Sequence, residues 1–178
     1  MYPKISRILI TVILSVIFIA QPAAAQEDVP PQYDGKIVAT NGEIYYVDVF
    51  EKVGKSNFPA NVLKAHEALA AGGCKSLTNG VNFYNNLNQL VWRYSQKVNW
   101  CYDGTYITSL SHTKTATVYN STWSYLGLVG HLHNGTVGWR DYRAYSVARF
   151  YCVCVANVYP WVDQAVYGNG GYSGQAGY

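Results

Sequence analysis

Hydrophobic and polar residues alternate along a long stretch in the middle of the chain. From position 90 to position 102 apolar side chains, many of them aromatic, occupy alternate positions, and Arg93 and Lys97 are among the residues between them. A period of two places these apolar side chains on one face of an extended strand. The pattern therefore predicts a long antiparallel strand, and Asp103 with Gly104 predicts the hairpin turn that follows it.

Further strand-like segments follow, separated by turn signals. The segment 106–119 predicts the returning strand, and Asn134 with Gly135 predicts another hairpin tip. The run 144–159 has the strongest strand pattern and predicts one continuous strand closed by Pro160. Several strands with little helix between them predict a mainly β fold, either an antiparallel β-sandwich or a small barrel.

The region before this body predicts a hairpin and one short helix. Two β-rich runs within 36–50 are joined by Asn41 and Gly42, the strongest short hairpin signal. The spacing then becomes helical. Ser56 or Asn57 would cap a helix of about three turns, which glycines at 72 and 73 would end.

The first residues have the layout of a secretory signal peptide. Lys4 and Arg7 precede an apolar run from Ile8 to Ala20, which small residues follow up to Ala25. The run of about 13 residues is shorter than the roughly 20 that a spanning helix needs, which disfavours the alternative of a membrane anchor. We therefore expect a secreted protein that has no membrane span after signal removal.

The patterns divide the chain into four parts. We expect the signal peptide at 1–25, a leader with the hairpin as an extension at 26–56, and the helix with the antiparallel β domain at 57–167. The Gly- and Tyr-rich tail at 168–178 would be poorly ordered or would form a final edge segment.

Composition narrows the class of function. Lys4 and Arg7 are two of the 13 basic residues, whereas all 10 acidic residues lie beyond Ala25, so the processed chain would be nearly neutral. A near-neutral chain without a basic run lacks the charge expected of a nucleic-acid binder. Charged residues are only 13% of the chain, whereas Tyr and Trp number 17 and 5. We therefore expect no nucleic-acid partner and a surface rich in neutral polar and aromatic groups.

The four cysteines predict two disulfide bridges, because an exported chain folds in an oxidising compartment. Cys152 and Cys154 are next-nearest neighbours on a predicted strand, where a mutual bridge fits the geometry poorly. Each of them would therefore pair with Cys74 or Cys101, in an order that the sequence leaves open.

A zinc site is the alternative use of these thiols. His131 and His133 have the same one-apart spacing as Cys152 and Cys154, and two neighbouring strands could offer two imidazoles and two thiolates to one ion. The histidines precede a predicted hairpin tip, however, whereas the thiols lie in mid-strand. We expect disulfides, with neither a metal nor another cofactor.

Side chains that could serve in hydrolysis are few. Motifs for a nucleophile elbow, a zinc protease, a phosphate loop or a dinucleotide loop are absent from the sequence. His131 and His133 are the best pair for a small extracellular hydrolase, which is one alternative function. The other titratable candidates are His112, Asp103, Asp141 and Asp163, of which the aspartates have turn or ion-pair roles as simpler explanations.

The aromatic residues favour binding. Trp and Tyr offer stiff amphipathic surfaces that suit sugar rings and protein partners. Trp123, Trp139 and Tyr142 flank turns and are the predicted platform, although most aromatics of an alternating face belong to a core. Glycosylation sequons occur at Asn120 and Asn134. We expect a non-catalytic extracellular binding domain for a glycan or cell-surface partner, with a secreted toxin or inhibitor as a further alternative.

Overall fold

The computed structural model describes residues 34–67 and 72–178, which contain ten strands and one short helix. The predicted signal peptide and most of the leader lie outside the described residues. The first sheet has five strands, whose spatial order follows the chain: β1 (Gly35–Val38), β2 (Ile44–Lys55), β3 (Gly73–Tyr84), β4 (Leu90–Tyr102) and β5 (Ile107–Val118). The second sheet also has five: β6 (Ser124–Asn134), β7 (Asp141–Cys152), β8 (Ala156–Val158), β9 (Trp161–Tyr167) and β10 (Tyr172–Gly177).

All of the strand pairs are antiparallel, and the two sheets pack face to face. The second sheet has the order β10-β9-β7-β6, and β9 and β8 pair with successive parts of β7. Of the two predicted architectures, the sandwich is correct. Two sheets that each have one apolar face bury those faces against each other, which is the usual solution for alternating strands.

The inner face of β4 holds the main core, as its alternation predicts. Trp92 lies between Phe83 and Phe150, with ring centroids 4.6 Å and 4.2 Å away and the rings nearly parallel. Tyr45 extends this stack beyond Phe83 at 5.1 Å. Trp123 forms an edge-to-face contact with Phe83, with ring centroids 5.0 Å apart. Four strands and a loop therefore contribute to one aromatic cluster.

A buried polar cluster separates this aromatic cluster from a second apolar cluster around Trp100. Nε2 of Gln96 donates to Oε1 of Gln164 at 3.1 Å, and the Tyr94 hydroxyl donates to Oγ of Ser146 at 2.6 Å. Ser146 in turn donates to Oε1 of Gln96 at 2.6 Å. These hydrogen bonds cross from the first sheet to the second, so they fix the lateral position of one sheet over the other.

The N-terminal hairpin and the helix are both present. β1 and β2 form the predicted hairpin, but β2 continues along β3 as far as Lys55, so the hairpin is part of the first sheet. The helix α1 spans Ala60–Glu67, and the last part of the predicted three turns falls on residues 68–71, outside the described ranges. No helix within the described ranges is long and apolar enough to cross a bilayer.

The continuous strand predicted for 144–159 is wrong. β7 ends at Cys152, the chain turns through residues 153–155, and β8 returns beside it from Ala156. The N–H of Val155 donates to the Cys152 carbonyl at 3.2 Å, and Ala156 has a φ of 75°, in the left-handed region. The sequence lacks the glycine that usually marks such a turn.

The predicted disulfide pairing is wrong for the same reason. Cys152 pairs with Cys154 across the turn, with a Cα–Cα distance of 5.2 Å. Cys74 pairs with Cys101, its direct neighbour in the register of β3 and β4, with a Cα–Cα distance of 4.0 Å. The geometric objection to a Cys152–Cys154 bridge holds only for an extended strand, and the chain is not extended there.

The C-terminal tail is ordered as an edge strand, the second of the two predicted outcomes. β10 pairs with β9 from Tyr172 to Gly177. Gly174 lies so close to Asn79 of the first sheet that a Cβ atom there would overlap the amide group. The small residues of the tail therefore allow the second sheet to pack tightly over the first.

Candidate functional site

Four turns meet at one end of the sandwich and enclose a groove of about 790 Å³. They connect β1 to β2, β3 to β4, β5 to β6, and β7 to β8. In an up-and-down arrangement every second connection reaches the same end, so the topology brings these turns together. We call this site the turn groove and define it by its lining residues, which are Thr40, Asn41, Glu43, Ile44, Tyr45, Asn85, Asn86, Leu87, Asn120, Thr122, Cys152, Val153 and Cys154.

Asparagine side chains shape three of these turns. Oδ1 of Asn41 accepts the Glu43 N–H at 3.1 Å, and Oδ1 of Asn120 accepts the Thr122 N–H at 2.9 Å. Oδ1 of Asn85 accepts two backbone N–H groups of its own turn. Asn and Asp favour such turns because the side-chain oxygen imitates a backbone acceptor. The Nδ2 groups of Asn41 and Asn120 make no hydrogen bond with the described residues and can donate to a ligand.

Tyr45 and Glu43 form the polar floor of the turn groove. The Tyr45 hydroxyl donates to Oε2 of Glu43 at 2.8 Å and lies 3.5 Å from Sγ of Cys154. Burial, reinforced by the hydrogen bond and the charge of Glu43, raises the pKa of Tyr45, so the phenol stays protonated. Glu43 is the single carboxylate among the lining residues. The floor thus offers one carboxylate as a hydrogen-bond acceptor, and the lining does not hold a second carboxylate that could act with it as an acid–base pair.

Exposed apolar side chains also line the turn groove. Leu87 is 71% exposed and Val153 is 84% exposed. A second hollow, of about 470 Å³, adjoins the turn groove, shares Asn85 and Asn120 with it, and is lined by the exposed Tyr119. The site therefore combines amide donors with apolar and aromatic contact surface.

The bridged turn is held against the β1–β2 turn. Both the N–H and the hydroxyl of Thr40 donate to the Cys154 carbonyl, at 3.1 Å and 2.9 Å. The Cys154 N–H donates to Sγ of Cys152 at 3.1 Å. These hydrogen bonds and the bridge together hold one wall of the turn groove, and Thr40 connects that wall to the next.

A histidine cluster occupies a different place, the seam between the edge strands β5 and β6. The Tyr142 hydroxyl lies 2.8 Å from Nδ1 of His133 and 3.2 Å from Nδ1 of His112. The rings of His112 and His133 are 4.8 Å apart, and His131 lies 5.9 Å beyond His133. Burial raises the pKa of Tyr142. The hydroxyl that connects the two rings is thus a protonated phenol, which positions them but is a poor nucleophile.

Burial also lowers the pKa of both bonded imidazoles. It lowers the pKa of His112 to about 4, with repulsion from Lys114 and His133 as further causes. Nε2 of His112 is buried without a hydrogen-bond partner among the described residues. The pKa of His133 is lowered as well, by burial first and then by Lys114 and His131. Protonation of the cluster would thus be opposed by its surroundings.

We expect the folded state to lose stability as the pH falls from about 6.5 to about 4. Between these values the unfolded chain binds a proton at His112 and the folded chain does not, so acid favours unfolding. The His112→Asn variant should therefore show a smaller fall in melting temperature over this range than the unmodified protein. Parallel pH profiles of melting temperature for the two proteins would contradict this interpretation of the cluster.

The predicted aromatic platform is not formed. Trp123 is only 3% exposed and Tyr142 only 5% exposed, so the expectation of exposure is wrong for both. Trp139, in the loop between β6 and β7, is 51% exposed as expected. The flanking residues are exposed as expected, but the two side chains themselves point inward, because Trp123 packs on the aromatic cluster and Tyr142 on the histidines.

The alternative zinc ligands are far apart. His131 is opposite Ser146 on β7, and Cys152 lies six positions further along that strand, roughly 20 Å at the usual rise per residue. Cys152 and Cys154 are also joined in a bridge. Among the described residues no group of three or more His, Cys, Asp or Glu side chains is arranged to hold a metal ion.

The remaining titratable candidates have local roles or stand alone. Asp103 accepts the N–H groups of Thr105 and Tyr106 and so shapes its turn, as predicted. Asp163 forms an ion pair with Arg143 across β7 and β9, rather than capping a turn. Asp141, for which an ion pair was the simpler explanation, begins β7 on the exposed surface and forms no ion pair within the described part of the chain.

Comparison with known proteins finds no family model, curated protein sequence or solved structure that matches this chain. The turn groove was not predicted from the sequence, because its lining residues come from four separate turns. The Asn-Gly signal at 41 and 42 identified one of these turns. The asparagine pair at 85 and 86 is a further turn signal that could have indicated a second.

Proposed function

We propose that this protein is an extracellular, non-catalytic binding domain, that the turn groove is its ligand site, and that the ligand is a neutral glycan. The observation that carries this proposal is the convergence of four turns on one groove with amide donors and apolar flanks. Two disulfide-bonded cysteine pairs and the signal-like N-terminal sequence support action outside the cell.

The chemistry of the groove suits a sugar better than a charged polymer. A glycan offers neighbouring hydroxyls that both donate and accept, beside C–H faces that prefer apolar contact. The Nδ2 groups of Asn41 and Asn120 can donate to such hydroxyls, and Glu43 can accept from them. Leu87 and Val153 supply apolar flanks. Lysine and arginine are absent from the lining residues, which argues against a phosphate-rich ligand.

A binding role is also supported by what the groove lacks. Hydrolysis of a glycosidic bond usually needs two carboxyl groups, one on each side of the bond. Glu43 is the single carboxylate among the lining residues of the groove. The carboxylate of Glu43 already accepts from Tyr45, which fixes its orientation. We therefore assign Glu43 to hydrogen bonding with the ligand.

Retention on insoluble neutral polysaccharides, followed by titration with their soluble oligosaccharides, would test the proposal. Asn86 is a further exposed amide of the lining, and we expect Glu43→Gln and Asn86→Ala each to weaken binding by about ten-fold, which is the loss of about one hydrogen bond to a charged or amide group. Asp141→Asn and Asn134→Ala are matched controls at exposed positions outside the groove lining. They should bind as the unmodified protein does.

Two results would contradict the proposal. One is the absence of binding to every neutral glycan in a broad panel. The other is equal binding by the groove variants and their controls, which would place the ligand elsewhere. Circular dichroism of each variant should first establish that the fold is retained.

A further inference from the structure

The two disulfide bridges differ in how much they constrain the chain. Cys74–Cys101 connects neighbouring strands inside the first sheet across 27 residues, and Cys101 is fully buried. Cys152–Cys154 spans two residues in a surface turn. A bridge stabilises a fold mainly by restricting the unfolded chain, and the restriction grows with the length of the closed loop. The short bridge therefore adds little to global stability, and its reduction should leave the fold intact.

The two sulfur atoms of the short bridge have different surroundings. Both cysteines line the turn groove, but Cys154 is partly exposed whereas Cys152 is only 3% exposed. Sγ of Cys152 accepts the Cys154 N–H at 3.1 Å. A hydrogen-bond donor stabilises a thiolate and makes it a better leaving group. An external thiol can thus approach Cys154, and Cys152 is the sulfur better prepared to leave.

The reduced form also has hydrogen-bond partners in place. Sγ of Cys154 lies 3.5 Å from the Tyr45 hydroxyl, which donates to Glu43. A Cys154 thiol can donate to the oxygen of that hydroxyl, and the Cys152 thiolate keeps the N–H of Cys154. Both products of bond cleavage are therefore accommodated without rearrangement of the groove floor.

We propose that Cys152–Cys154 is an exchangeable disulfide that reacts through Cys154 with thiols reaching the turn groove. The thiolate of the incoming molecule bonds to Sγ of Cys154 while the Cys152–Cys154 bond breaks, and its electron pair leaves on Sγ of Cys152. A second thiolate then attacks the incoming sulfur and releases Cys154, which takes up a proton. The net result is oxidation of two external thiols to a disulfide and reduction of one protein bridge.

The test uses the folded, oxidised protein incubated with increasing ratios of reduced to oxidised glutathione, or with a short peptide containing one cysteine. After acid quenching, free thiols are alkylated and located by peptide mass spectrometry. We expect the Cys152–Cys154 bridge to be reduced at least about ten-fold faster than the Cys74–Cys101 bridge, as shown by alkylation of the freed thiols, with circular dichroism unchanged. Trapped mixed disulfides should map to Cys154. Reaction with glutathione alone would indicate a site for small thiols, and reaction with both probes would indicate that peptide thiols also enter.

A Cys152→Ala variant gives a second measurement, because it leaves Cys154 without its partner. Incubation of this variant with oxidised glutathione should give a stable mixed disulfide at Cys154, whereas a Cys154→Ala variant should form the corresponding adduct at Cys152 at least about ten-fold more slowly, since Cys152 is buried. Simultaneous reduction of both bridges, loss of the fold on reduction, or adducts mainly at Cys152 would each overturn the proposal. No glycan enters the assay, so its result is independent of the proposed ligand.

Discussion

Replacement of Trp123 by alanine is expected to lower the free energy of unfolding by about 3–5 kcal/mol, the usual cost of removing a buried large aromatic side chain. The ring is 3% exposed and forms edge-to-face contacts with Phe83 and Tyr45, with ring centroids 5.0 Å and 5.7 Å apart. The rings of Phe83 and Tyr45 come from different strands and are fixed by the stack, so the surroundings cannot close over the cavity. Urea denaturation followed by far-ultraviolet circular dichroism would measure the loss.

Trp139→Ala is the matched control for this prediction. Trp139 is 51% exposed, and the same substitution there should change the free energy of unfolding by less than about 1 kcal/mol, because exposed substitutions have small effects. The difference between the two variants separates a core tryptophan from a surface one. Equal and small effects would mean that Trp123 does not pack in the aromatic cluster.

Gln164→Leu is expected to cost about 2–4 kcal/mol, although leucine has a similar size and is more apolar. Gln164 is 1% exposed, and its Nε2 donates to the Asn79 side chain at 2.8 Å and to the Gln96 carbonyl at 3.1 Å. Leucine would remove the donor to the buried Asn79 oxygen and one of the two acceptors of Nε2 of Gln96, and an unsatisfied buried group costs roughly 1–3 kcal/mol. The same denaturation experiment measures this loss, and Gln175→Leu on the exposed side of β10 is its control.

The double variant Gln96→Leu with Gln164→Leu sharpens this prediction. Nε2 of Gln96 donates to Oε1 of Gln164, so the two substitutions remove one shared hydrogen bond. The loss of unfolding free energy in the double variant should therefore be smaller than the sum of the two single losses, by about 0.5–3 kcal/mol. Strict additivity would contradict a direct bond between the two glutamines. A stabilising effect of Gln164→Leu alone would contradict the assignment of the polar cluster as a satisfied network.

The parts of the fold that could be predicted are those in which one local pattern matches the tertiary environment. β4 is an example: its alternate apolar residues from Trp92 to Trp100 are all buried as predicted, and the turn at Asp103 forms as its sequence indicates. Gln96 occupies an inner position of the same strand and was not predicted as a core residue. Its partner, Gln164, is on the opposite sheet, so the alternation within β4 gives no sign that the amide is satisfied.

The Cys152–Cys154 turn shows why another part was missed. Val153 and Val155 have strand propensity, and the segment lacks the Gly, Asn, Asp or Pro that normally mark a turn. The bridge closes the turn, hydrogen bonds from Val155 and Thr40 hold it, and Ala156 takes the left-handed conformation that glycine would favour. Covalent and tertiary constraints override local propensity here, and propensity rules do not include them.

The candidate site was the least predictable feature, because it depends on which turns share an end of the sandwich. Asn41 and Asn85 are 44 positions apart in the chain, yet both line the turn groove. Trp123, in contrast, was predicted as a surface residue from its polar neighbours and lies beneath the turns. Local polarity indicates that a segment reaches the surface but does not determine the direction of each side chain.

The measurement that tests the groove as the ligand site most directly is a map of backbone amide chemical shifts in the labelled protein during titration with neutral oligosaccharides. If the ligand binds in the groove, saturable shifts are expected at Thr40, Glu43, Asn86 and Thr122, with the histidine cluster around Tyr142 unchanged. Shifts confined to the outer faces of the sheets or to the histidine cluster would contradict it, as would the absence of shifts with every neutral oligosaccharide in the panel.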